Sequence, residues 1–197
     1  MSLATRIVRI LLVCIPLGIT GCIADSSVCI QSAETGVADA PGLPIGAYIA
    51  ESSNSATVYL TDLDPVALDR GSDLSKVSGR IVQINMFLRP AAGTTPVSSN
   101  ACSATVRHII LANGSIGIYS GGGFLSPSGH VGDAKFSGSL KGATMRLSGS
   151  SGNFVDRLGA AVMRADFTAR RDEAMAKRIA ARVDDVLLKV GEPKPGK

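Results

Sequence analysis

Hydrophobic and polar residues alternate along the central part of the chain. The segment RIVQINMFL, residues 80–88, places Val82, Ile84, Met86 and Leu88 on one face and mixes polar and apolar residues on the other. The same period of two recurs in residues 133–140, 143–149 and 162–168. Such alternation is typical of an antiparallel sheet that covers a core on one side and meets water on the other. It predicts a mainly β domain.

Turn residues separate the predicted strands. Asn113-Gly114 lies between residues 104–111 and 115–120, and an Asn-Gly pair between β segments is the strongest short-range signal of a hairpin. Residues 45–50 and 55–61 are joined by a short run of serine and asparagine, which favours a second hairpin.

Glycine is concentrated in the second half of the chain. Residues 113–152 hold 11 of the 22 glycines, which predicts bulges, tight turns and a mobile loop in this region. Lys141-Gly142 is expected to form one of these tight turns, between two strands.

The last predicted element has a helical period. Apolar residues recur there at three- and four-residue spacing, and Gly191 and Pro193 end the pattern. The apolar positions are Met175, Ile179, Val183, Val186, Leu187 and Val190. Basic and acidic residues interleave between them, which favours a solvated outer face. The pattern predicts an amphipathic helix over residues 170–191, followed by a disordered tail at 192–197.

These elements together predict the fold class. About eight strands within residues 45–169, followed by one helix, favour an antiparallel β-barrel or β-sandwich, with the helix packed on a sheet face or over a barrel mouth. A short helix is also expected inside this domain. Asp64 suits its N-cap, Pro65 suits its first position and Gly71 would end it.

The first 22 residues have the order of a secretory signal. Arg6 and Arg9 precede the apolar run 10–19, and a threonine and a glycine then lead into Cys22. The run is about half of the roughly 20 residues that a helix needs to cross a bilayer. The segment is therefore predicted to be removed and not retained as a membrane span.

The sequence Ile-Thr-Gly-Cys at residues 19–22 resembles the lipobox of bacterial lipoproteins. The resemblance covers only the first 22 residues. It implies that residues 1–21 are a lipoprotein signal peptide and that the Cys22 sulfur receives a diacylglyceryl group. It also implies a membrane-anchored protein of the bacterial envelope that faces the periplasm. Ile23, and not an aspartate, follows Cys22, which resembles the enterobacterial pattern for sorting to the outer membrane.

Removal of the signal defines the mature chain. Cleavage before Cys22 would leave 176 of the 197 residues, which suits one domain with a sizeable core. Residues 22–44 lack periodicity and are rich in small residues and proline, which predicts a lipidated surface tether. Loss of Arg6 and Arg9 lowers the formal net charge from +4 to +2. This charge is too small to indicate nucleic-acid binding.

Processing also leaves one pair of cysteines. Cys14 would leave with the signal and Cys22 would be lipidated, so that Cys29 and Cys102 remain. The oxidising envelope favours a disulfide between them. The alternative is a free Cys29 in the tether and a small buried Cys102.

Residues suited to catalysis or ligand binding are few. The chain has two histidines and no Gly-x-Ser-x-Gly motif, so a Ser-His-Asp site would need His108 or His130. His108 alternates with apolar residues of its strand, which favours a structural histidine on a partly buried face. The candidate ligand-binding residues are His108, Tyr119, Phe124 and His130.

The sequence predicts no cofactor or metal. The residues after Gly121-Gly122-Gly123 cannot open a phosphate-binding helix. A series of four acids, Asp62, Asp64, Asp69 and Asp73, lacks the glycine and the terminal glutamate of a calcium loop. Two cysteines and two scattered histidines provide no closely spaced pair of zinc ligands.

Three functional hypotheses follow. The favoured one is a lipid-anchored envelope protein whose non-catalytic β domain binds an envelope protein, a wall component or a small ligand, or has a structural role. The second is an envelope enzyme with a site around His108, His130 or the acids from Asp62 to Asp73. The third is a carrier of small lipophiles with a cavity inside a barrel, which rests on architecture alone because the chain lacks the tryptophan typical of lipocalins.

Overall fold

The computed structural model describes residues 26–69, 71–90 and 102–191. The predicted signal peptide, the predicted lipid attachment site at Cys22 and the predicted tail at residues 192–197 lie outside the described residues. Within those ranges the strands are β1 (Ser27–Ser32), β2 (Ala38–Asp39), β3 (Ile45–Ala50), β4 (Ala56–Thr61), β5 (Ser78–Met86), β6 (Ala104–Ala112), β7 (Ser115–Gly123), β8 (Leu125–Ser128), β9 (Lys135–Ser151) and β10 (Ala161–Arg171). One helix, α1 (Glu173–Val190), follows them. The predicted mainly β fold with a C-terminal helix is confirmed.

The described strands form a single sheet. Its order is β2-β1-β10-β3-β4-β5-β6-β7-β9-β8, and an additional pairing of β10 with β9 closes the strands into a ring. The sheet is therefore not divided into the two layers of a sandwich. Its pairings are antiparallel except for a short parallel contact of β10 with β3, at Arg170↔Ala47 and Arg171↔Tyr48.

Two hydrophobic clusters lie on opposite faces of this sheet. The inner cluster fills the ring and contains large side chains such as Tyr48, Tyr119 and Phe136. The outer cluster joins one face of α1 to the outside of β3–β7, where Ile81 and Ile109 are fully buried. Because apolar residues lie on both faces of these strands, only part of the sheet shows simple alternation.

The helix begins and ends at the residues that favour helix termini. Asp172 is the N-cap, and its carboxylate accepts a hydrogen bond from the Met175 amide. Gly191 is the C-cap in the left-handed conformation. Arg182 is buried on α1 and donates to the carbonyls of Ala67 and Ser72, which connects the helix to the loop after β4.

The predicted tether is wrong for residues 27–39, which contribute β1 and β2. β1 pairs with β10 over its whole length. Val28, Ile30 and Ser32 are buried while the intervening residues are exposed. The sequence has this alternation, but the pattern is weak. Small or polar residues occupy the exposed positions, and one buried position is also a serine. The described domain therefore begins about 18 residues earlier than predicted.

The predicted disulfide is absent from the structure. Cys29 and Cys102 are both free and exposed. Cys29 lies in β1, whose neighbours are β2 and β10, whereas Cys102 precedes β6, whose neighbours are β5 and β7. At least three strands separate β1 from β6 around the ring, and strands are spaced about 4.8 Å apart. A disulfide requires Cα atoms within roughly 7 Å.

Two local predictions also fail. Residues 65–68 form a turn and not a helix, although Asp64 still accepts a hydrogen bond from the Ala67 amide at 2.7 Å. Lys141 and Gly142 do not reverse the chain, because β9 continues through them. Ala143 is opposite Met163 and Lys141 is opposite Arg164, so Gly142 forms a β-bulge.

The Asn113-Gly114 hairpin is confirmed. β6 and β7 pair up to Ala112↔Ser115, and φ is positive at both Asn113 (47°) and Gly114 (91°). These values fit the type I′ turn of a two-residue hairpin.

We expect Gly114→Val to lower the free energy of unfolding by roughly 1 to 3 kcal/mol, because a β-branched residue is strained at positive φ. Steric contact adds little, since a Cβ at this position would lie 3.7 Å from its nearest neighbours. Chemical denaturation measures the effect. Gly71→Val is the matched control, because Gly71 has no positive φ and no neighbour within 4 Å of a Cβ. Equal stability of the two variants would contradict a strained hairpin turn.

Candidate functional site

Two of the four candidate ligand-binding residues come together inside the ring. His108 of β6 is opposite Tyr119 of β7, and their ring centroids are 6.3 Å apart in a stacked arrangement. His108 is fully buried, and neither of its ring nitrogens has a hydrogen-bond partner. The structure therefore places a neutral imidazole among apolar side chains and not in an open cleft.

The electrostatics of this interior pair follow from burial. Burial lowers the pKa of His108 to about 4, while Asp39 acts to raise it and Arg80 to lower it. Tyr119 donates a hydrogen bond to Asp156 Oδ1 at 2.6 Å, and burial, assisted by this carboxylate, raises the pKa of Tyr119. Burial alone would raise the pKa of Asp156, but hydrogen bonds from Tyr119 and from the Gly159 and Leu158 amides hold it below its usual value.

The other two candidates lie elsewhere. His130 is exposed in the loop between β8 and β9, where its Nδ1 is 3.0 Å from Arg89 Nη1. Its backbone amide donates to Asp133 at 2.9 Å. Phe124 is half-buried between β7 and β8. The four residues therefore do not form one site.

The acids proposed for an enzymatic site are engaged in local structure. Asp62 accepts from the Arg80 amide, Asp69 forms an ion pair with Arg178 at 2.7 Å, and Asp73 caps the short 3₁₀ helix at Leu74–Lys76. Among the described hydrogen bonds and ion pairs, none joins these acids to His108 or His130. The geometry does not assemble the predicted acid–base constellation.

A more open site lies on the outside of the sheet. The outer faces of β5, β6 and β7 are apolar under α1, at Ile81, Ile109 and Ile118. Farther along the same strands they become polar, and α1 leaves this part uncovered. A groove of about 220 Å³, here called the outer groove, lies at this part of the sheet. It is lined by the polar residues Gln83, Asn85, Thr105, Arg107 and Ser120, together with Val106 and Gly121.

One row of cross-strand neighbours passes through the outer groove. Tyr59 is opposite Gln83, Gln83 is opposite Arg107, Arg107 is opposite Ser120, and Ser120 is opposite Arg146. Arg107 Nη1 donates to Gln83 Oε1 at 2.9 Å, which fixes the orientation of the guanidinium. Its Nε lies buried with no hydrogen-bond partner. The protein therefore leaves part of this cation's hydrogen-bonding capacity unused.

A second groove continues the first one along the sheet. It has a volume of about 440 Å³ and shares Ser120 with the outer groove. Thr144, Arg146 and Val162 are among its lining residues. The described linings of the two grooves contain two arginines and no acid. This part of the surface is therefore suited to polar ligands with negative charge.

Tyr59 marks the other end of the row. Burial raises the pKa of its phenol to about 12, a shift that the side-chain hydrogen bond with Gln83 reduces. Glu51 and Asp184 raise this pKa further, whereas Arg107 lowers it. Glu51 accepts a hydrogen bond from Thr57, which is opposite the groove residue Asn85, so one carboxylate lies beside the groove on the β4 side. The positive charges of the row are those of Arg107 and Arg146.

Sequence reasoning missed the outer groove although one signal was visible. Gln83 and Asn85 alternate with buried apolar residues in β5, and Thr105 and Arg107 do so in β6. This pattern identifies polar residues on one face of each strand. It does not show that the strands are neighbours, or that a helix covers only part of the face they share.

The chain was compared with family models, with curated proteins and with solved structures, and none of the three comparisons found a match. No helix in the described part of the chain has both the length and the hydrophobicity needed to cross a bilayer. The described residues also contain no group of three or more His, Cys, Asp or Glu residues that could hold a metal ion.

Proposed function

We propose that this chain is a lipid-anchored protein of the bacterial envelope that binds its ligand without transforming it. The lipobox-like sequence ending at Cys22 supports the anchor, and the outer groove supports the binding role. The ligand would be a polar molecule with a carboxylate or phosphate group.

The observation that carries the binding role is the state of Arg107. Its guanidinium is oriented by Gln83 but not neutralised, and the groove lining has no acid among its described members. Arginine binds carboxylate and phosphate through paired, charge-assisted hydrogen bonds. Asn85, Thr105 and Ser120 add amide and hydroxyl groups around it, which suit the hydroxyl groups of a sugar or a comparable polar ligand.

The residues that line the outer groove favour binding over catalysis. They include no histidine, cysteine or carboxylate to act as a general base or activated nucleophile. His108 is inside the ring and is separated from the groove by the sheet itself. A carrier of lipophiles is less favoured, because aromatic residues pack against one another in the interior, with Tyr48–Phe136 and Phe136–Phe167 centroids 5.5 and 6.1 Å apart.

Titration by NMR tests the groove. The Arg107 Nε–H signal is followed while D-glucuronate or inorganic phosphate is added, with D-glucose as the neutral comparison. The charged probes should shift this signal at saturable concentrations and D-glucose should not. Arg107→Gln should abolish the saturable response, whereas Arg164→Gln, an exposed arginine on β10 outside the groove lining, should preserve it. Equal responses of the two variants would reject the groove as the binding site.

Fractionation tests the anchor. Cys22→Ser should remove the lipid attachment and leave uncleaved precursor or soluble protein, because the two chains of a diacylglyceryl group provide stable membrane attachment. Cys29→Ser is the matched control, since its thiol is exposed and free. A Cys22→Ser variant that stays in the membrane fraction with the parent's mass would contradict lipidation.

A further inference from the structure

The described chain begins at one end of the sheet. The Thr168 amide donates to Ser26 Oγ at 3.3 Å, and Ser27 is opposite Asp166. β1 is antiparallel to β10, so tracing the chain back from Ser27 leads along β10 toward Arg170. Ser26 therefore lies at the end of the domain that contains Arg170.

The length of chain between Cys22 and Ser26 limits their separation. Four residue steps span at most about 14 Å when fully extended. In a protein lipidated at Cys22, the glycerol of the lipid lies at the membrane surface. The end of the domain near Ser26 must then lie within that distance of the headgroups.

This end of the domain carries exposed cations. Lys135 and Arg170 are exposed and are cross-strand neighbours, and no ion pair joins either of them to an acid among the described residues. Arg171 is partly offset by Glu173 at 3.6 Å. Among the nearby acids, Asp172 caps α1 and Asp133 accepts from His130, whereas Asp166 is exposed opposite Ser27.

Exposed apolar residues lie at the same end. Phe87 and Leu88 follow β5 and are 51% and 45% exposed. Arg89 comes next and donates to the Gly129 carbonyl at 2.9 Å, in the loop that leads to Lys135. The surface formed by Phe87, Leu88, Arg89, Lys135 and Arg170 is named the anchor-side surface.

We infer that the anchor-side surface lies on the lipid bilayer. This inference rests on the proposed lipidation of Cys22. Phe87 and Leu88 enter the boundary between headgroups and acyl chains, and Lys135 and Arg170 contact anionic headgroups. The contact holds the domain in one orientation, with the hairpin at Asn113-Gly114 directed away from the membrane.

The absence of tryptophan from the chain allows a direct test. Phe87→Trp is made in the lipidated protein, which is reconstituted into vesicles of phosphatidylcholine and phosphatidylglycerol with brominated acyl chains. Val155→Trp is the control, because Val155 is 68% exposed in the loop before β10. That loop approaches the distal hairpin, since a Cβ on Gly152 would lie 2.8 Å from the Gly114 carbonyl oxygen.

Bromine should quench Phe87→Trp at least roughly twofold more than Val155→Trp, because only residues inserted about 5 to 10 Å approach the labelled chains. Leu88→Trp should behave like Phe87→Trp and replaces it if that variant does not fold. Flotation with the vesicles is measured in the same samples. Proteins that float with equal quenching at both positions would overturn the orientation only. Proteins that do not float would overturn the anchor and, with it, this inference.

Charge reversal tests the cations separately. Lys135→Glu combined with Arg170→Glu should reduce the quenching of Phe87→Trp. The control is Arg157→Glu combined with Lys189→Glu, which makes the same change of charge at exposed positions outside the anchor-side surface. This control should leave the quenching unchanged. Equal quenching in both double variants would overturn the role of Lys135 and Arg170. If Phe87→Trp remains fully quenched in vesicles made of neutral lipid alone, that result would also overturn the role of these two cations.

Discussion

Gly121→Ala is expected to lower the free energy of unfolding by about 3 kcal/mol, because added volume at a closely packed position strains the surrounding backbone. A Cβ at Gly121 would overlap the Thr144 carbonyl oxygen and lie 2.7 Å from Met145 Cα. Both atoms belong to the backbone of β9, so no side-chain rotation can relieve the contact. β7 and β9 would have to separate beside the outer groove. Equilibrium denaturation in urea measures the effect.

Gly42→Ala is the matched control for this substitution. An added methyl group at Gly42 would have no neighbour within 4 Å, and φ is not positive there. Its replacement should therefore change stability by only a few tenths of a kcal/mol. A Gly121→Ala variant as stable as the Gly42→Ala variant would contradict the close approach of β7 and β9.

Acidification should destabilise the domain by about 3 kcal/mol through His108 alone, since each unit of pKa difference corresponds to about 1.4 kcal/mol. The pKa of His108 is about 4 in the folded protein, whereas that of an unperturbed histidine is 6.5. The unfolded chain therefore binds the proton more tightly. The contribution of His108 is complete above about pH 6.5 and is lost as the pH falls toward about 4.

The His108→Phe variant isolates this effect. Phenylalanine retains an aromatic ring beside Tyr119 but cannot bind a proton, so the stability of the variant should depend much less on pH between 6.5 and 4. The lowered pKa values of Asp73 and Asp156 act mainly below the usual aspartate pKa of 3.8, outside this window. Parallel stability profiles of the parent and His108→Phe would show that His108 is not the buried neutral group described above.

Local chemistry makes several elements predictable from the sequence. Asn113-Gly114 provides positive φ at two successive positions, which few other pairs tolerate. The helix has both its period and a glycine at its end, and Gly191 takes the left-handed conformation. In each case the residues that specify the structure are adjacent or lie on one helix face.

The failures arise where distant residues decide the structure. Pairing of β1 with β10 places Val28 and Ile30 in the inner cluster, and no residue near them in sequence identifies β10 as their partner. Gly142 has the backbone freedom that a turn requires. However, Lys141 and Ala143, on either side of it, both pair with β10, so that Gly142 forms a bulge within β9. The expected pairing of Cys29 with Cys102 rests on elimination, which ignores the strands that lie between them.

The candidate site is predictable only in part. His108 is expected to be a hydrogen-bonded histidine on a partly buried face, but the structure buries it fully and leaves both ring nitrogens without a hydrogen-bond partner. Its contact with Tyr119 depends on the register set by the hairpin. The outer groove forms because β5, β6 and β7 are neighbours in the sheet and because α1 covers only part of their shared face. No local sequence pattern specifies either of these facts.

The identity of the mature N-terminal residue is the most direct test of the central claim. The protein is purified from the membrane fraction of a bacterial host and its intact mass is measured before and after chemical removal of ester-linked fatty acids. The account predicts a chain that begins at Cys22, lacks residues 1–21 and carries a diacylglyceryl group whose acyl chains the treatment releases. A membrane-bound protein that retains residues 1–21, or one with an unmodified Cys22, would contradict it.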